Sequence, residues 1–191
     1  AGTPLLVQPL DVATDAAGHV YVADYGADRV AVFDPAGKLA GCIAVPRPTR
    51  VAVHRRTGAV YVVSGDTQVD LVKFSGFADT REMARAKVAE YRSPQPLQTP
   101  LLALDDAATP PVLWLSANFM RLEDLGQRFG DPVQVQALNP PATFAMGSVM
   151  ELSVDRVHRL LYVNNSRRLD IASGIWDTIA PEGGQIGRAH V

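Results

Sequence analysis

The 191-residue sequence predicts an all-β fold, a β-propeller of four-stranded antiparallel blades, and three observations carry that expectation. The run Pro9-Leu10-Asp11-Val12-Ala13-Thr14-Asp15-Ala16-Ala17-Gly18-His19-Val20-Tyr21-Val22-Ala23-Asp24 is echoed by Pro48-Thr49-Arg50-Val51-Ala52-Val53-His54 and its continuation through Gly58, Tyr61 and Ser64. Tyr21 and Tyr61 stand 40 residues apart, a spacing typical of one propeller blade. Fifteen glycines and 14 prolines separate short Val, Leu and Tyr runs, the punctuation of a chain with many strands and tight turns.

The elements follow in order. In the first unit, residues 10–14 alternate as a strand, Asp15-Ala16-Ala17-Gly18 supplies turn chemistry, and 19–23 return as a second strand. Asp24-Tyr25-Gly26-Ala27-Asp28 is a loop, 29–33 a third strand, Asp34-Pro35-Ala36-Gly37 a second turn and 38–45 a fourth strand. The second unit repeats the scheme with strands at 50–53, 59–63 and 69–74. Its fourth strand is ambiguous, because Asp79 followed by Glu82 resembles a helix-capping box, yet the repeat asks for a hairpin and a strand near 86–91. The third unit reads 101–104, 112–116, 119–123 and a strand within 129–138. The fourth reads 151–154, 159–163 and 168–172. Trp114 and Tyr162 take the aromatic place of Tyr21 and Tyr61, and the longer spacings of 53 and 48 residues between successive aromatics place insertions in surface loops.

Residues 9–37 resemble an NHL repeat: proline, a small apolar strand, Asp, a turn Gly, Val20-Tyr21-Val22-Ala23-Asp24, a short loop, Arg29, then Val30-Ala31-Val32-Phe33-Asp34 and Gly37. The second unit matches through Phe74, with Ser64 and Val69 where the first has Asp24 and Arg29, and the later units keep only the strand–turn–aromatic core. The WD-type propeller fits less well, since Gly18-His19 and Trp176-Asp177 never occur in one repeat. The resemblance implies closure with about six blades, or some 240 residues at roughly 40 each. The four units, expected at 9–46, 48–92, 100–139 and 150–185, would be an arc of such a propeller. Residues 186–191, Ile-Gly-Arg-Ala-His-Val, translate ATC-GGA-AGA-GCA-CAC-GTC, a common sequencing adapter, and are expected to be an artefact.

Composition narrows the function. A net charge of −2 argues against a nucleic-acid binder, which needs a basic surplus to neutralise phosphates. No apolar run is long enough to cross a bilayer. The one cysteine, Cys42, leaves no internal disulfide or cysteine metal cluster. The compartment stays open, with an extracytoplasmic setting favoured.

Strand order sends the first-to-second and third-to-fourth turns to one face, and the second-to-third loops and blade crossovers to the other. The latter face collects Asp24, Tyr25, Asp28 and Arg29, then Ser64, Asp66 and Gln68, then Asn118 and Arg121, then Asn164, Asn165 and Arg167, with Arg47 and Arg50 from a crossover. Of these Asp24, Tyr25, Asp28, Arg29, Asp66, Asn118, Arg121, Asn164, Asn165 and Arg167 are the candidate ligand-binding residues, for polar and aromatic loops over a rigid scaffold commonly bind. In NHL repeats Asp24 and Arg29 would brace the loop. His19, His54 and His158 fall at turns on the opposite face and do not converge as metal ligands must, so no metal site is expected. The expectation is a non-catalytic scaffold, without cofactor, binding a protein, glycan or small molecule. The alternative, implied by gluconolactonase-type relatives, is a lactonase or lyase using Ca²⁺ or Zn²⁺, with Asp11 or Glu151 as carboxylate and Asn164 or Asn165 as amide ligands.

Overall fold

The structure, a computed structural model, describes residues 5–94, 99–135, 149–164 and 167–179. These residues form four antiparallel sheets, each a simple up-and-down meander. Blade 1 comprises β1 (Pro9–Thr14), β2 (Val20–Asp24), β3 (Arg29–Phe33) and β4 (Leu39–Ala44). Blade 2 comprises β5 (Pro48–Val53), β6 (Val60–Ser64), β7 (Gln68–Phe74) and β8 (Glu82–Glu90). Blade 3 comprises β9 (Leu102–Asp105), β10 (Val112–Leu115), β11 (Met120–Glu123) and β12 (Val133–Gln134). Blade 4 comprises β13 (Leu152–Asp155), β14 (Leu160–Val163), β15 (Arg167–Asp170) and β16 (Trp176–Thr178). The first strands touch in succession, β1 with β5, β5 with β9 and β9 with β13, so they line the axis and the fourth strands lie outside. The chain is all-β, in propeller arrangement.

The aromatic repeat has a structural meaning. Tyr21, Tyr61, Trp114 and Tyr162 sit opposite Ala13, Ala52, Ala103 and Ser153 on the neighbouring first strands. A small residue there leaves room for the ring to lean over the sheet. Tyr21 then packs with Val51, Val53, Val60, Val62 and Phe74 of blade 2. Tyr61 packs with Leu113, Leu115 and Leu122 of blade 3. Trp114 does the same with Leu161, Val163 and Leu169 of blade 4. Each aromatic is therefore a wedge into the next blade, and a wedge of this kind removes on the order of 150–250 Å² from water.

Turn chemistry is as regular as the cores. The Asp15 carboxylate accepts the Ala17 and His19 N–H groups, both at 2.9 Å, and the Asp34 carboxylate accepts those of Ala36 and Lys38. Asp155 and Asp170 repeat this in blade 4. His54 stands in for the aspartate in blade 2, its Nδ1 accepting the Arg56 and Thr57 N–H groups. His19, His54 and His158 sit at turns, as their sequence setting implies. Gly18 and Gly37, at φ +85° and +80°, close the two blade 1 turns in the left-handed region.

Two elements refine the sequence reading. The fourth strand of blade 2 starts at Glu82, not near residue 86, because β8 pairs with β7 almost along its length. Ala84 and Val88 are buried while Arg85 and Lys87 are exposed, a two-residue period that overrides the local helix-start signal. Blade 4 has the fourth strand that a four-stranded repeat implies, at a place the sequence reading did not specify; Trp176-Asp177 belongs to it, with the Trp176 ring centroid 5.5 Å from that of Phe119. Residues 186–191 lie outside the described residues.

One polar cluster ties blade 2 to blade 3. Lys73 Nζ lies 2.9 Å from Asp124 Oδ1 and donates to the Gly126 carbonyl, while the Tyr61 hydroxyl donates to Asp124 Oδ2. Burial and the adjacent Asp124 carboxylate push the Tyr61 phenol well above its usual range. Replacing Asp124 strips the partner from a buried ammonium. Asp124→Ala is expected to lower unfolding free energy by about 3 kcal/mol, and Tyr61→Phe by about 1 kcal/mol, in urea titrations.

Candidate functional site

The face with the second-to-third loops is held together by one recurrent device. The residue ending each second strand reaches to the segment that enters the same blade. Asp24 Oδ1 accepts the Val7 and Gln8 N–H groups at 2.9 and 2.8 Å. Ser64 donates to the Pro46 carbonyl, and Ser116 accepts the Leu101 N–H at 2.8 Å. Asn164 Oδ1 accepts the Met150 and Glu151 N–H groups at 2.7 and 3.1 Å. Four side chains of three kinds thus brace the entering segment, three by accepting N–H groups and Ser64 by donating, a likeness that the differing residue types disguise in the sequence.

Asp24 is fully buried, and its Oδ2 pairs with the Arg29 Nε at 3.2 Å. Burial disfavours the carboxylate, but the Gln8 and Val7 N–H groups together with Arg29 outweigh it and hold the carboxyl below its usual range. Arg29 also donates to the Leu5 carbonyl at 2.7 Å. Asp28, in the left-handed region at φ +50°, accepts the Arg47 N–H at 2.8 Å and so fixes the crossover into blade 2. Asp66 accepts the Thr67 N–H and pairs with Arg47. Tyr25 is half-buried at the start of the 3₁₀ turn Tyr25–Ala27, its own N–H bound to the Gln8 carbonyl.

The remaining candidates scatter. Asn118 adopts φ +49° at the corresponding turn of blade 3. Arg167 opens β15 opposite Val163. Arg121 lies within β11, opposite Trp114 and Val133, inside the strand that the sequence reading placed at 119–123. It pairs with Glu123 at 3.6 Å. Asn165 lies outside the described residues.

A second set converges instead on the axis. Counting two residues back from the small residue opposite each aromatic gives Asp11, Arg50, Leu101 and Glu151, one position of the repeat in four blades. All four border one cavity of about 420 Å³, together with Ser153 and Tyr162. These positions lie at the start of the first strands, hence at the loop-face end of the axis. Asp11 Oδ2 accepts the Val51 N–H at 2.9 Å across the blade junction. Burial pushes the Asp11 carboxyl up, against the Val51 and Val12 N–H groups and the Arg50 charge. Arg50 donates to the Thr49 carbonyl at 2.7 Å, which turns its guanidinium to a defined place beside the cavity. The cavity is therefore bordered by one cation and two carboxylates, with three leucines, the Ser153 hydroxyl and the Tyr162 ring beside them. Arg50 reads in the sequence as a crossover residue; aligning the first strands on Ala13 and Ala52 is the signal that moves it to the axis. Among the described residues no three His, Cys, Asp or Glu side chains gather as a metal-ligand group.

Residues 6–33, most of blade 1 from before β1 to the end of β3, match the family profile of the NHL repeat. No curated protein sequence matches the chain. Among solved structures, the Kuenenia stuttgartiensis hydrazine synthase is similar, with a TM-score of 0.61 at 14% identity, covering 93% of this chain and 51% of that one. The chain thus spans about half the length of that relative, and at this identity the likeness shows the fold alone.

Asp24→Ala is expected to lower stability by about 2–3 kcal/mol, since it frees two N–H groups and a partly exposed arginine. Because the folded carboxyl titrates below its unfolded value of about 3.9, the stability it lends is present above that pH and is lost as pH falls through the folded value. Thermal melts between neutral and strongly acidic pH should therefore show a shallower acid decline in Asp24→Ala than in the parent.

Proposed function

We propose that this NHL-repeat β-propeller is a non-catalytic binding scaffold whose ligand, a small polar molecule or the polar tip of a glycan or protein, enters by the loop face and seats at the axial end. The observation that supports the reading is the single repeat position occupied by Asp11, Arg50, Leu101 and Glu151 around one cavity. A scaffold needs the same residue at equivalent sites only where blades must pack. At a position that faces the axis, blade-to-blade variation sets up a chemically uneven wall, and an uneven wall distinguishes ligands. Arg50 would take an anionic or hydroxyl-rich group, and Asp11 and Glu151 would accept its donors. Tyr25, Asn118 and Arg167 would form the rim. Asp24, Asp28, Arg29, Asp66 and Asn164 serve the rim indirectly, by fixing the loops from which it is made.

The alternative is a lactonase or lyase in which Ca²⁺ or Zn²⁺ is held by the same carboxylates, Asp11 and Glu151, and polarises a carbonyl. Two carboxylates bordering one cavity favour keeping it as the second reading. Partners of nucleic-acid type are disfavoured by the net charge of −2. No helix among the described residues is long and apolar enough to cross a membrane.

Isothermal titration with sugar acids, aldonic lactones and amino acids, each with and without Ca²⁺ or Zn²⁺, separates the two readings. Binding without turnover is expected, weakened by more than about tenfold in Arg50→Ala at an unchanged melting temperature, the loss of one charge-assisted hydrogen bond. Tyr25→Ala and Arg167→Ala should weaken it less. Metal-dependent lactone hydrolysis would replace the scaffold reading with the enzymatic one. Binding that survives Arg50→Ala but fails on changes near His54 and His158 would move the site to the other face.

A further inference from the structure

We infer that the junction of blades 3 and 4 holds a second binding site, for a small carboxylic acid with an apolar or aromatic body. The junction before it supplies the template. There Tyr61 and its cross-strand neighbour Lys73 both bind Asp124, the first residue past β11. Between blades 3 and 4, Trp114 takes the place of Tyr61, and its cross-strand neighbour Arg121 the place of Lys73. Ile171, the first residue past β15, stands where Asp124 stands past β11. In each case the position lies three residues beyond the cross-strand partner of that blade's aromatic. Two donors are kept, and their acceptor is replaced by an aliphatic side chain.

Neither donor is answered from within the junction. Trp114 is 4% exposed, and its buried indole N–H has no hydrogen-bond partner. Arg121 lies 3.6 Å from Glu123 of its own strand, a solvent-exposed pair that exchanges at little cost. Asp170, one residue before Ile171, does not substitute for Asp124. Its Oδ1 takes the Ala172 and Ser173 N–H groups, and it borders a different cavity, beside Arg168 and Asp177.

A cavity of about 570 Å³ opens between β12 and the third-to-fourth turn of blade 4, a size suited to a small molecule. Trp114 and Arg121 border it, Leu169, Ile171 and Trp176 give it an apolar wall, and the exposed Gln134 stands at its rim. Among the described residues no acidic side chain lines it, and it shares no lining residue with the axial cavity. A carboxylate placed between Arg121 and Trp114 gains charge-assisted hydrogen bonds and does there what Asp124 does one junction earlier. The apolar wall then covers the body of the acid. An inorganic anion leaves that wall unused, and a neutral amide leaves the charge of Arg121 unused.

Trp114 and Trp176 are the two tryptophans of the chain, so tryptophan emission reads this cavity directly. Titration with 3-phenylpropionate or octanoate at neutral pH should give a saturable change in emission. The neutral 3-phenylpropionamide, and sulfate alone, should each bind more than about tenfold more weakly, the worth of one charge-assisted hydrogen bond. Arg121→Gln should weaken the acid by a similar factor and leave the amide unchanged, a difference that a merely structural role would not produce. Trp114→Phe keeps a ring and removes the N–H, and should weaken the acid by about fivefold, read through Trp176. Thermal melts of each variant report folding. If Trp114→Phe fails to fold, Arg121→Gln and the comparison of acid with amide still decide the matter. No saturable change with either acid overturns the inference, as does equal affinity for acid and amide. Binding lost in Arg50→Ala but kept in Arg121→Gln places the acid in the axial cavity and overturns it as well.

Discussion

Every blade depends on lodging one aromatic side chain in the flank of its neighbour. A four-stranded sheet has two broad faces, and neither can remain in water if the strands are Val- and Leu-rich. Tyr21, Tyr61 and Trp114 settle the problem by tilting over an alanine on the adjacent strand and filling the angle between sheets. The requirement runs in one direction around the axis. Among the described residues blades 1 to 3 each give a wedge to the next, so stability is held at the junctions as well as within the sheets.

Polar links sit where the wedges stop. Asp11 crosses from blade 1 to Val51, Asp106 accepts from both Arg55 and Arg156, and Arg159 pairs with Asp105 at 2.9 Å. These bonds fix the rotation of one sheet on another, which apolar contact alone leaves soft. Asp124, also buried, answers both a phenol and an ammonium that would otherwise be stranded. The regular turns on the far face serve the same end more cheaply, with an acceptor side chain at the first residue holding two N–H groups of the reversal.

The division of labour on the loop face follows from geometry. The chain must cross from the outer strand of one blade to the inner strand of the next, over a span with no sheet to pair it. Asp24, Ser64, Ser116 and Asn164 supply the missing hydrogen bonds, and Asp28 holds the following crossover. Side chains committed to that task have little left to offer a ligand. The axial position of Asp11, Arg50, Leu101 and Glu151 carries a different residue in each blade, and of these Asp11 also holds the Val51 N–H across the junction.

The sequence by itself determined the blade: alternating apolar residues, Asp- and Gly-marked turns and an aromatic every 40 to 53 residues are local signals, and local signals survive without knowledge of the neighbours. It also placed the histidines in turns and read the Asp24–Arg29 pair as a brace. What it left open depends on pairing across distance. A helix-like start at Asp79 became part of the hairpin before β8 because β7 offered a ladder. The resemblance already offered Asp11 and Glu151 as carboxylate ligands, but Arg50 read as a crossover residue and its place beside them was not legible, for the same reason. Residues 39 and 101 positions apart meet only when each first strand is turned to the same axis, and the junctions between blades, not the strands themselves, set that turn.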